Sequence, residues 1–176
     1  MDKKEILKKV DHTLLKQTAT TDEIITLCKE GKENNVASVC IPSCYVKVSD
    51  EYLKGALPIC TVIGFPNGNN STLSKIFECK QAIKDGANEI DMVINIGKLK
   101  EKDYNYVGEE ITKLAEICHE NKAILKVIIE TCLLQDEEIE TMCHICEKAN
   151  ADYIKTSTGF SKEGANFHVV KIMIDT

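Results

Sequence analysis

Short apolar runs rich in β-branched residues alternate with longer amphipathic stretches along almost the whole chain, and this alternation limits the fold more than any other feature. The runs are Val36–Ile41, Ile59–Phe65, Glu89–Asn95, Ile124–Glu130 and Asp152–Thr156, with a briefer one at Val10–Leu14. Between them the spacing is helical. Val107, Ile111, Leu114, Ala115 and Cys118 form one apolar stripe, and Ile139, Met142, Cys143 and Cys146 form another. Thr20 and Glu23 make a capping-box pattern ahead of a helix from about Thr21 to Glu33. Gly86 stands where a glycine would stop the helix that begins near Ser71. No repeat, linker or low-complexity tract divides the 176 residues, so residues 1–176 read as a single domain.

Strand–helix alternation implies a parallel sheet with helical crossovers. An open doubly wound sheet and a (β/α)8 barrel both satisfy it. Asp91, Lys126, Glu130 and Lys155 sit inside the runs. A doubly wound sheet buries both faces and should be nearly pure Val, Ile and Leu. A barrel can turn polar residues into its mouth, at the carboxyl ends of the strands. No Gly-x-Gly-x-x-Gly follows a run, which argues further against a dinucleotide fold. The expected class is therefore α/β, of the (β/α)8 barrel type.

Charge excludes some functions. The net charge is −6, and all 22 basic residues are lysine, so the arginine fork that reads phosphate or guanine is absent. No nucleic-acid partner is expected. The longest apolar run, near Ile59 to Phe65, is too short to cross a bilayer, and the start Met1-Asp2-Lys3-Lys4-Glu5 has no apolar leader segment behind it. No membrane association and a cytoplasmic location are expected. The nine cysteines mostly stand where a small apolar residue would serve, as at Cys28, Cys60, Cys79 and Cys118. Cys143 and Cys146 bracket His144 on an apolar helical stripe, which reads as core packing rather than zinc or redox chemistry.

Lys155 is the first candidate for chemistry. Alternation along the run puts Tyr153, Lys155 and Ser157 on one face. A lysine desolvated in a barrel, or set beside another cation, has a lowered pKa and can attack a carbonyl to form an imine. The alternative is a strand-end lysine reaching into solvent. Asp91 and Lys126 each have apolar neighbours on both sides and read as inward-facing. A carboxylate near two amines would hold one charged and shuttle protons, or else form a structural ion pair. The loop Gly64-Phe65-Pro66-Asn67-Gly68-Asn69-Asn70 can bring backbone N–H groups near a ligand or can be ordinary turn chemistry. Cys40 can face a substrate or pack.

Six segments in order resemble the 2-deoxyribose-5-phosphate aldolases. They are Asp11-His12-Thr13-Leu14-Leu15-Lys16, Val39-Cys40-Ile41-Pro42, Val62-Ile63-Gly64-Phe65-Pro66-Asn67-Gly68, Gly86 to Asn95, Leu125 to Thr131, and Ala151 to Phe160. The resemblance implies a barrel with an extra N-terminal helix. It implies class I, metal-free and cofactor-free cleavage of 2-deoxy-D-ribose 5-phosphate to D-glyceraldehyde 3-phosphate and acetaldehyde. By position, Lys155 resembles the Schiff-base lysine, Asp91 the proton-relay aspartate and Asp11 the carboxylate near the substrate hydroxyls. Thr13, Cys40, Lys126, Thr158 and Gly159 fall with Asp11 among the substrate-side positions.

The match is incomplete. The family carries a second lysine on its seventh strand and a phosphate site built from the seventh and eighth, whereas this sequence reads through six strand–helix units to Met173-Ile174-Asp175-Thr176. Asn166 also stands where threonine is usual. Two alternatives therefore accompany the aldolase reading: an inactive remnant serving as a binding partner, and a lysine-dependent aldolase for another aldehyde. A six-stranded sheet would expose an edge that favours self-association, with a homodimer expected.

Overall fold

The computed structural model describes residues 2–176. Six strands form one parallel sheet in chain order: β1 (Asp11–Thr13), β2 (Ser38–Ile41), β3 (Ile59–Ile63), β4 (Glu89–Val93), β5 (Ile124–Ile128) and β6 (Tyr153–Lys155). Eight helices accompany them: α1 (Lys3–Leu7), α2 (Thr21–Asn34), α3 (Val46–Leu53), α4 (Thr72–Lys84), α5 (Ile96–Lys100), α6 (Tyr104–Glu120), α7 (Asp136–Lys148) and α8 (Phe167–Asp175). Every pair of neighbouring strands is parallel.

The strands are shorter than the apolar runs that contain them. The β3 run stops at Ile63 because Gly64 takes a φ of +59°, and β5 is followed by Glu130 at +52°. These turns leave the extended region and redirect the chain into the loops of one end.

The sheet is curled. Lys126 on β5 reaches Asp11 on β1, Nζ to Oδ2, at 2.8 Å. Those strands are four steps apart, which is about 19 Å in a flat sheet and far beyond two side chains. The six strands therefore form part of a barrel wall.

Alternation then sorts the residues. Val39, Ile41, Ile59, Ile63, Ile90, Met92, Leu125 and Val127 face the helices and belong to the main apolar core. The intervening residues face the hollow of the sheet, among them Asp11, Thr13, Cys40, Cys60, Asp91, Lys126 and Lys155, and they stand in register: Thr13 beside Cys40, Cys40 beside Cys60, Asp91 beside Lys126.

The helices answer the outward set. All five residues of the α6 stripe are buried, Ile111 and Leu114 completely, and each such side chain contributes roughly 1.5–3 kcal/mol. On α7, Ile139, Met142 and Cys146 are buried, while Cys143 lies at the margin of the stripe and is only half-buried. Both halves of the Thr20–Glu23 capping box form, with Thr20 N donating to Glu23 Oε2 at 2.8 Å. Among the described residues, no helix is long and apolar enough to cross a membrane.

Candidate active site

Inward residues of β1, β3, β4, β5 and β6 converge on Asp91, which has no exposed surface. Its Oδ2 accepts a hydrogen bond from Lys155 Nζ. Its Oδ1 lies 3.5 Å from Lys126 Nζ and accepts from the Cys60 thiol at 3.1 Å. Lys126 also meets Asp11 at 2.8 Å and Glu89 at 2.5 Å. Three carboxylates thus share two ammonium groups, which leaves the cluster with a negative excess.

The titration of these groups follows from that count. Burial alone would lower the Lys126 pKa, but Cys60, Asp91, Asp11 and Glu89 outweigh it and hold the group above its ordinary value. Lys155 behaves the same way: burial pulls its pKa down, and the Asp91 charge and hydrogen bond more than reverse it. This corrects the expectation of a lysine made neutral by burial and a neighbouring cation. The side chain is still 34% exposed, and its nearest charge is an anion. Asp11 is pushed up by burial and down further by Lys126, and ends below the usual carboxylate range. The Cys40 contact and burial raise the Cys60 thiol well above its ordinary pKa.

Other expected positions fall differently. Cys40 is fully buried beside Cys60, within the wall of the hollow. Thr13 is exposed and turns its hydroxyl to the Asp11 carbonyl at 2.7 Å. Thr158 is buried and donates through both N–H and Oγ1 to Glu130. Gly159 is exposed and has open space around it. The Gly64 N–H is not free for a ligand, since it donates to Glu78 Oε2 at 2.7 Å, and the Gly68 N–H donates to Gly64 O at 2.7 Å.

Two residues of the site, Glu89 and Cys60, were not read as part of it in sequence. Glu89 lies two residues from Asp91 on the same strand face, a spacing that signals it. Cys60, read as a small apolar residue, faces the charged cluster. Glu130, noted in sequence as a polar residue inside its run, holds the segment that follows Lys155 by accepting from the Thr158 N–H and Oγ1.

Beside the cluster, a cavity of about 410 Å³ opens among the segments after β1, β2, β3 and β6, lined in part by Pro42, Tyr45, Val62, Phe65 and Phe160. Val62 is the in-register neighbour of Asp91, so the cavity wall adjoins the charged cluster. Phe65 and Phe160 meet edge to face, with centroids 5.3 Å apart, and tie the β3 and β6 loops together. Ligand atoms of Cys40, Cys60 and Asp91 lie within 4.8 Å of one another. Asp91 already accepts from the Lys155 ammonium and from the Cys60 thiol, with the Lys126 ammonium 3.5 Å from the same Oδ1.

Residues 5–175 match the DeoC/LacD family of aldolases. The chain belongs to this family. It is 52% identical over 173 residues to the deoxyribose-phosphate aldolase of Streptococcus pyogenes, covering 98% of this chain and 77% of that protein. The aldolase of Streptococcus agalactiae matches at the same identity and coverage. Among solved structures, a protein assigned as a deoxyribose-phosphate aldolase from Coccidioides immitis superposes with a TM-score of 0.94 at 41% identity, covering 98% of this chain and 68% of that one. The tetrameric deoxyribose phosphate aldolase of Aeropyrum pernix shares the fold, with a TM-score of 0.91 at 24% identity over 98% of this chain and 72% of that one.

Proposed function

We propose that this aldolase cleaves 2-deoxy-D-ribose 5-phosphate to D-glyceraldehyde 3-phosphate and acetaldehyde through a Schiff base on Lys155. The observation that carries the reading is the Lys155–Asp91 contact, buried on the carboxylate side and half-open on the amine side, next to a cavity.

Lys155 rests as an ammonium paired to Asp91. When a carbonyl enters, Asp91 accepts the proton through the existing hydrogen bond, and the freed amine attacks the carbonyl carbon. Loss of water gives the iminium. The carbon–carbon bond then breaks, with its electron pair drawn into the iminium as an enamine, and the hydroxyl proton of the departing aldehyde passes to a base. Asp91 is placed to accept or return that proton. Protonation of the enamine and addition of water release acetaldehyde and regenerate the lysine. Lys126 stays charged throughout and keeps Asp11, Glu89 and Asp91 together. Asp11, partly exposed, is placed to meet a substrate hydroxyl.

The negative excess of the cluster repels a phosphate, so the 5-phosphate is read as bound away from it. The six strands are read as part of an eight-unit barrel, with α1 as its extra N-terminal helix, and the assembly as a cytoplasmic homodimer. The inactive-remnant reading is not favoured, because identity to deoxyribose-phosphate aldolases runs over 98% of the chain.

Incubation with acetaldehyde and borohydride, followed by peptide mapping, tests the reading. The expected adduct is on Lys155. Labelling of Lys126 without Lys155 would overturn it. Chelators are expected to leave turnover unchanged, and loss of activity on chelation would exclude the metal-free class.

A further inference from the structure

Helix α4 sends a lysine into the interior. The Lys75 side chain has no exposed surface, and neither has that of Glu110 on α6, 2.8 Å from its ammonium. Such a pair is a poor way to join two helices. Each charge gives up its hydration, and apolar residues of the same volume would hold the helices at least as well. The second partner of the ammonium is more informative. Lys75 Nζ also donates to the carbonyl of Val93 at 2.8 Å. Val93 ends β4, two residues beyond Asp91.

The surroundings are shaped to this lysine. A Cβ on Gly64, whose φ is +59°, would stand 2.7 Å from Lys75 Cε, so the glycine leaves room for the lysine stem. The Gly64 N–H is taken by Glu78, one helical turn beyond Lys75. Helix α4 therefore grips the carboxyl end of β3 through Glu78 and that of β4 through Lys75. The far oxygen of Glu110 accepts from Thr72 Oγ1 at 3.0 Å, which ties the start of α4 to the same pair.

We infer that Lys75 is a positioning residue, which through Val93 O fixes the carboxyl end of β4 and so holds the Asp91 carboxylate against Lys155. The inference rests on the roles given to Lys155 and Asp91 above. It accounts for a buried charge where packing alone requires none, and it assigns the glycine of the β3 loop a task other than ligand binding.

Borohydride trapping on the unmodified full chain comes first, because a chain unlabelled at Lys155 would overturn the reading of the site itself. The double variant Lys75→Met/Glu110→Gln then removes both buried charges at once, so no lone ion is left behind, while the donor to Val93 is lost. Its expected urea midpoint is close to that of the parent. Its expected kcat for 2-deoxyribose 5-phosphate is lower by roughly ten- to a hundredfold, the scale of misplacing a reacting group by about 1 Å, with KM little changed. A folded double variant with parental kcat would overturn the assignment while leaving the Lys155 reading intact. Glu110→Gln alone keeps the bond to Val93. It is expected to be less stable and to retain kcat, and this variant decides the matter if the double variant does not fold. A folded Glu110→Gln protein with a kcat as low as that expected for the double variant would show that the ion pair, not the Val93 bond, is what matters.

Discussion

The ammonium of Lys155 is hydrogen-bonded to a carboxylate, that of Asp91, which has no contact with solvent. The pairing raises the lysine pKa above 10.5 although burial opposes it. Asp91→Asn removes both the charge and the proton acceptor. Turnover is expected to fall by roughly 10²–10⁴, the usual worth of a general base. The lysine of the variant loses the two largest raising effects, and burial is then opposed only by Cys40 and Cys60. Its adduct formation with acetaldehyde should therefore begin to rise at lower pH than in the parent. Mass-spectrometric trapping from pH 6 to 11 reads the shift, and an unshifted profile would show that Asp91 does not control the amine.

Lys126→Met leaves Asp11, Glu89 and Asp91 together with one cation fewer. Lys126 is 8% exposed, and breaking so enclosed a set of pairs should cost about 3–5 kcal/mol at neutral pH. Asp11 has a depressed pKa, so its stabilising effect is present above 3.8 and fades as pH falls through the folded value. In the variant the carboxylates repel one another, and protonation relieves them. The difference in stability between parent and variant should thus shrink as the pH drops below about 5. Urea titrations at pH 7 and pH 4 check both the size and the sign.

Gly68→Ala should be far more damaging than Gly55→Ala, although both glycines have positive φ. At Gly55 a Cβ would meet nothing within 4 Å, so only the backbone preference is lost, about 1 kcal/mol. At Gly68 it would lie 1.9 Å from the Ile94 carbonyl oxygen, which cannot move without disturbing the end of β4. Thermal unfolding of the two variants should rank them in that order, and Gly68→Ala should also lose turnover.

Strands β1 and β6 are the edges of the six-stranded sheet. Unpaired strand edges invite other chains to dock. A polypeptide of residues 1–176 expressed on its own is expected to self-associate. It should cleave 2-deoxyribose 5-phosphate at least about a hundredfold more slowly than a version extended by two further strand–helix units, the scale of losing positioning or one acid–base group. Light scattering and parallel assays check this, and a monomer with equal turnover would refute it.

The parts legible in the sequence were those written in periodicity. The α6 stripe and the Thr20–Glu23 cap needed only local spacing. Asp91, Lys126 and Lys155 stood out because each interrupts an apolar run. What stayed hidden depends on register between distant segments. Glu89 gains its partner from the neighbouring strand, and Lys75 finds Glu110 thirty-five residues away on another helix, where both charges read as ordinary polar-face residues. The sign of the Lys155 shift was hidden too. Sequence reveals that the lysine is enclosed, but a carboxylate at hydrogen-bond range outweighs enclosure, and only the curl of the sheet brings it there.

The alternation of the strands also separates two kinds of change. Val39, Ile90, Leu125 and Val127 answer to the helices, while Thr13, Val62, Ile128 and Tyr153 answer to whatever occupies the hollow. A residue and its chain neighbour are therefore under different constraints although they are one peptide bond apart. Libraries confined to the second set can reshape the choice of aldehyde without renegotiating the scaffold, so this wall offers a ready starting surface for tailoring carbon–carbon bond formation.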